Sequence, residues 1–212
     1  KSGPQLPDRK RPQRKDLQHS QLQQQEAADV QLLRRQRAAC LLSRAAKQPE
    51  GIKMLQASNA FGRLLECLSQ QQLQHQQKDD SDASKAAWAE SVVRTTALLT
   101  AQPGTCTSCS SQQSALAINV CLNLLQSAGP EAAAKGNAAL CLSHFAAEPR
   151  WHEQLHNADA VKALVHVAYA GKGDATSKNA AIALAKLAKD ERMMERLREL
   201  HGLEIIYQYV RV

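Results

Sequence analysis

His152-Glu153-Gln154-Leu155-His156 is a literal H-E-x-x-H run. On a helix the two imidazoles, four apart, share one face and can grip zinc, with the glutamate as base. Catalytic zinc usually takes three protein ligands, and no downstream acid or histidine signature supplies a third here. The run follows Pro149 directly and aligns with residues 192–200 further on, which hold no histidine pair. An ordinary amphipathic helix is therefore the first reading, and a zinc metalloprotease acting through His152 and His156 is the enzymatic alternative. Cys106-Thr107-Ser108-Cys109 is a lone C-x-x-C. Zinc ribbons need a second pair and redox motifs need a βαβ setting, and neither accompanies it.

A third set of polar residues recurs at a fixed distance. Arg37 with Arg44, Arg94 with Ala101, Asn137 with His144, and Asn179 with Lys186 each lie seven apart, on one side of a helix. If the four helices stack, Arg37, Arg44, Arg94, Asn137, His144, Asn179 and Lys186 form a mildly basic ladder. Its amide and guanidinium donors suit an acidic or extended peptide. The plain alternative is a solvated face that binds nothing.

The elements that must carry these residues repeat. Residues 136–144 and 178–186 are near copies, and Asn179 lies 42 residues after Asn137. Each copy is followed by a short apolar segment and then a medium one. Two fainter copies begin at Arg37 and Arg94, with Arg94 lying 43 residues before Asn137 and 57 after Arg37. A period in the low forties marks an array of helical units of the HEAT or armadillo class. We expect about four units, each a long, a short and a medium helix, with an exposed insertion near 69–82. Pro49 opens one short helix, Ser58 or Asn59 caps the helix after it, and a Gly/Ser/Thr/Cys turn at 102–111 replaces the short helix of the second unit. Pro130 starts the third long helix.

Composition agrees. Hydrophobic residues are 43% of the chain but aromatics only 3%, so alanine and leucine dominate and helices can approach closely. No apolar run approaches the ~20 residues of a membrane span. Residues 1–15 hold six basic residues and one acid, leaving the rest at +2 of a total +7. Residues 1–26 thus read as a disordered basic and Gln-rich tail or linker, and 27–212 as the repeat domain. The near-neutral body gives no reason to expect nucleic acid or membrane as partner. Cys40, Cys121 and Cys141 fall in apolar stripes, as small hydrophobes in a reducing compartment do.

With these residues in view, the chain resembles the armadillo-repeat proteins over roughly 27–212, most strongly from Lys135 onward. The resemblance implies an all-α fold: a right-handed α-solenoid of three-helix repeats whose groove-lining helix holds partner proteins. Peptide-importing members carry a Trp and an Asn four apart on that helix; the matching slots here hold Leu140/His144 and Ile182/Lys186. Residues 179–206 are similar to the C-terminal armadillo region of a tetratricopeptide-repeat co-chaperone family, related in layout to the UNC-45 myosin chaperones. That likeness implies a non-catalytic, cofactor-free scaffold, cytoplasmic or ciliary, that meets dynein chains or chaperones during axonemal dynein-arm assembly. A structural ciliary or cytoskeletal scaffold is the alternative.

Overall fold

Alanine, leucine and glutamine outnumber β-branched residues in almost every segment, and the fold follows that bias. The computed structural model describes residues 14–75, 83–127, 132–171 and 173–209, and all regular structure among them is helical. In chain order the helices are α1 (Arg14–Ala45), α2 (Pro49–Ala57), α3 (Ala60–His75), α4 (Ala83–Thr100), α5 (Thr105–Ser108) and α6 (Ser111–Gln126). Then come α7 (Ala132–Phe145), a 3₁₀ turn at Pro149–Trp151, α8 (His152–Asn157), α9 (Ala160–Ala170), α10 (Ala175–Leu187), α11 (Glu191–Glu199) and α12 (Leu203–Tyr209).

The long helices α1, α4, α7 and α10 form one row, each packed on the next, and α3, α6, α9 and α12 form a second row beside it. Small residues allow the close approach in the first row. Ala138, Ala139, Ala180, Ala181 and Ala183 are all fully buried. Gly136 serves the same end, since a Cβ there would sit 3.3 Å from Thr176 Oγ1 on α10. The leucines fill the space between rows: Leu65, Leu99, Leu142 and Leu155 are each 0% exposed. Burying one such side chain is worth about 1.5–3 kcal/mol.

The grouping of helices differs from the expected order. The medium helices α3, α6 and α9 pack against the long helix that follows each of them, α4, α7 and α10, while α12 packs on α10 before it. The compact triplet is therefore short, medium, long, one step out of phase with a unit that begins on the long helix. Chain order alone cannot choose between these phases, because both give the same sequence period.

Local chemistry sets the ends. Ser110 and Gln113 form a reciprocal capping box on α6, and Asp174 and Asp190 cap α10 and α11. Pro49 opens α2, as expected. Asn59, directly before α3, takes a left-handed backbone with φ 51°, as do Asp159 at 48° and His201 at 53°. All three sit between a short helix and a medium one. Asn, Asp and His are the non-glycine residues that tolerate this region best, so the turn recurs with the repeat.

Three boundaries move. Helix α1 begins at Arg14, not near Ala27, because Gln, Glu, Leu and Ala are good helix formers even where, as at Glu26 and Ala27, they are exposed. The rest of the expected tail, 1–13, lies outside the described residues. Helix α3 likewise continues through 69–75, and the remainder of the expected insertion, 76–82, is outside them, as is Pro130. The turn expected at 102–111 contains the one-turn helix α5.

Candidate functional site

The ladder residues fall on the row of long helices, one repeat apart, and three of the seven grip the neighbouring helix. Asn179 Nδ2 donates to the Gly136 carbonyl at 2.9 Å, and Lys186 Nζ donates to the Ser143 carbonyl at 2.8 Å. Thr176 Oγ1 donates to the Ala132 carbonyl at 3.0 Å, in the same sense from α10 to α7. His144 Nδ1 lies 2.9 Å from Thr100 Oγ1 of α4. That hydroxyl donates to the Ala97 carbonyl at 3.0 Å, so Nδ1 carries the ring proton and Thr100 accepts it. Arg94 is ion-paired with Glu90 one turn back on its own helix. Asn137 is half-buried and its side chain makes no hydrogen bond among the described residues. Arg37 and Arg44, on α1, are exposed and pair with no carboxylate among the described residues.

Electrostatics follow from this packing. Burial, with the Lys186 charge nearby, lowers the His144 pKa to about 4, and burial also lowers that of Lys186. Replacing Asn179 by Ala removes one inter-helix donor at little cost in packing. We expect a loss of about 0.5–1.5 kcal/mol, read as a fall of a few degrees in thermal midpoint.

Cysteines cluster behind this row. Cys106, Cys109, Cys121 and Cys141 are buried, while Cys40 and Cys67 are exposed. Cys40 therefore sits at the edge of its stripe, 3.6 Å from Ser91 Oγ of α4. The Cys106 thiol faces the Thr100 carbonyl at 3.6 Å and Cys109 the Thr105 carbonyl at 3.0 Å. Burial pushes Cys106 well above the ordinary thiol range, and it pushes Cys109 up to about 11. A hydrogen bond with Cys121, then burial, raises Cys141 as well. Thiolates are the nucleophiles and ligands of cysteine chemistry, so this setting favours the inert thiol.

The H-E-x-x-H histidines have different surroundings. His152 is 8% exposed. Its Nε2 lies 3.0 Å from the Ala146 carbonyl, beyond the end of α7, and its Nδ1 lies 3.5 Å from Asp190 Oδ2, the cap of α11. His156 is exposed one turn later. Both nitrogens of the first imidazole thus bridge two parts of the fold, and a shared metal would have to pull it away. Among the described residues no group of three or more His, Cys, Asp or Glu is placed to hold a metal ion. His152→Ala should cost about 1–3 kcal/mol through the unpaired carbonyl and lost bridge, and His156→Ala within about 0.5 kcal/mol. Urea unfolding of the two variants checks this.

The recess beside α11, lined by Glu191, Arg192, Met194, Glu195 and Arg198, lies along a single helix and gathers no group from a second element. The partners that sequence reasoning missed are Thr100, Thr176 and the carbonyls of Gly136 and Ser143. The visible signal was the repeat period: Thr100 and the two carbonyls lie 43 or 44 residues from the ladder residue each one meets, and Thr176 lies 44 from Ala132. Among the described residues no helix is long and apolar enough to cross a membrane. No family model, no curated protein and no solved structure matches this chain.

Proposed function

We propose that this chain is a non-catalytic scaffold that binds other proteins, built as an armadillo-type α-solenoid. The observation that carries the reading is the row of long helices joined by side-chain bonds one repeat apart. In it the polar side chains brace a stack instead of converging on a reacting atom. A stack in which each unit touches only its neighbours leaves an extended surface, the form that repeat proteins use for partners. The setting in dynein-arm assembly, cytoplasmic or ciliary, draws its support from the likeness of residues 179–206 to the co-chaperone repeats.

The test is recovery of partners on the purified full chain, with the Phe145→Ala variant as a destabilised control and reciprocal capture from the partner's side. A discrete set of proteins retained by the native chain and lost with the control is expected. Recovery of the same proteins by both chains, or peptide-bond cleavage by the purified chain that stops when His156 is replaced, would overturn it.

A further inference from the structure

Helix α5 is one turn long, and the short elements of the units on either side both hold it. From α2, Gln56 Nε2 donates to Thr105 Oγ1 at 3.2 Å. From the turn before α8, Trp151 Nε1 donates to the Cys106 carbonyl at 2.9 Å, and Arg150 Nη1 donates to the Thr107 carbonyl. A helix leaves its last carbonyls without partners in its own backbone, and here the next unit supplies them. The carbonyls so held belong to the C-x-x-C run, whose two thiols are buried in the same joint. Cys109 ends α5 with φ −60°, so it keeps the helical place of the third residue after Cys106. In that geometry the Cα atoms lie ~5 Å apart, inside the roughly 4.4–6.8 Å of a disulfide. The Cβ atoms lie about 5–6 Å apart, beyond the roughly 3.5–4.5 Å that the bond needs. Closing the pair therefore requires α5 to tighten.

The flanks of α5 permit that movement. Gly104 enters the helix with φ 85°, a Cβ there would meet nothing within 4 Å, and Thr107, Ser108 and Ser110 are exposed. Cys141 is the less mobile thiol, since it sits on α7, against which α4, α6 and α10 all pack, and is bonded to Cys121. We propose that Cys106 and Cys109 are a redox switch: a small disulfide of the glutathione type oxidises them to an intrachain disulfide, and the tightened α5 withdraws the carbonyls that anchor Trp151 and Arg150. The Cys109 thiolate attacks one sulfur of the small disulfide and releases one thiolate. The Cys106 thiolate then attacks Cys109 Sγ of the mixed disulfide and releases the second. The two cysteine protons end on the released thiols, so two cysteines are oxidised and one small disulfide is reduced. Cys109 is the first nucleophile because its thiol is raised less than that of Cys106 and the Arg150 charge favours its thiolate. Burial keeps both thiols protonated while α5 is clamped, so exchange proceeds from the opened joint. The coupling is reciprocal: what loosens the clamp favours the disulfide, and the disulfide loosens the clamp.

The test equilibrates the full chain with glutathione buffers of rising disulfide-to-thiol ratio. Alkylation before and after reduction, read by peptide mass, reports the state of each cysteine. Cys106 and Cys109 should become oxidised together and joined to each other, while Cys121 and Cys141 stay reduced. Amide exchange over 150–157 should then quicken by about ten-fold or more. Arg150→Gln is a surface change, and Trp151→Phe keeps an aromatic ring while removing the N–H donor. Each should move the oxidation midpoint to a ratio about five-fold or more lower. Arg150→Gln decides alone if Trp151→Phe also oxidises Cys121 and Cys141, the sign that its whole core has opened. Cys106 and Cys109 left reduced at ratios that modify the exposed Cys40 and Cys67 overturn the inference. So does Cys109 paired with Cys141 or left carrying glutathione, a Cys106–Cys109 disulfide without faster exchange over 150–157, or an unchanged midpoint in Arg150→Gln.

Discussion

Phe145→Ala should lower stability by about 3–5 kcal/mol, the cost of an aromatic removed from a close-packed core. Phe145 is fully buried at the end of α7. Its ring meets Trp151 edge-on, with centroids 6.5 Å apart and planes at 65°. Trp151 Nε1 in turn donates to the Cys106 carbonyl at 2.9 Å, which ties the turn before α8 to the short helix α5 of the preceding unit. The Arg150 guanidinium lies over the indole, 4.1 Å from its centroid. One side chain thus supports the joint between two units, and its loss leaves both a cavity and an unanchored tryptophan. Such an aromatic pair is worth about 0.5–1.5 kcal/mol beyond its buried area. Phe145→Leu, which keeps most of the volume, should cost distinctly less. Urea unfolding followed by circular dichroism ranks the variants. A Phe145→Ala protein as stable as the native one would mean that this joint carries no share of the stability.

Acid should weaken the fold well above the range in which carboxylates titrate. The His144 pKa is lowered from 6.5 to about 4 in the folded chain, because burial and the Lys186 charge disfavour the imidazolium. The unfolded chain takes up that proton as pH falls through 6.5, and the folded chain refuses it until about 4. The stabilisation is therefore complete above pH 6.5, declines between 6.5 and 4, and has no more to lose below that. Its full size is at most about 3 kcal/mol. Asp159 and Asp190 act in a lower window. Their carboxyls are held below the usual range, Asp159 first by its hydrogen bonds from Arg196 and Asp190 by backbone N–H groups that outweigh its burial. Their stabilisation is present above the ordinary aspartate pKa of 3.8 and is lost as pH falls through the lower folded values. The two windows separate cleanly. Urea midpoints measured between about pH 7 and about pH 4.5 should fall for the native chain and stay nearly level for His144→Gln. An equal slope in both would remove His144 from the account.

Near-repetition in the sequence already placed the long helices, because a buried helix face needs the same small and apolar residues each time it recurs. The copies around Asn137 and Asn179 needed no coordinates to be paired, nor did the all-helical regular structure of the described residues in an alanine- and leucine-rich chain with 3% aromatics. Proline at the start of α2 was legible for the same reason, since its fixed φ acts within its own turn.

What the chain order left open were the contacts made across it. His144 could be named as a ladder residue, but its partner Thr100, 44 residues earlier, is chosen only once α7 lies on α4. The same holds for His152, which sequence spacing pairs with His156 and packing pairs with Ala146 and Asp190. The physical reason is that a hydrogen bond has a reach of ~3 Å, while the repeat leaves a side chain many possible neighbours at that distance. Sequence by itself determined the period, the helices and which residues recur on each; tertiary packing decided which of those side chains are spent on the neighbouring helix and which, at Arg37 and Arg44, are left facing water.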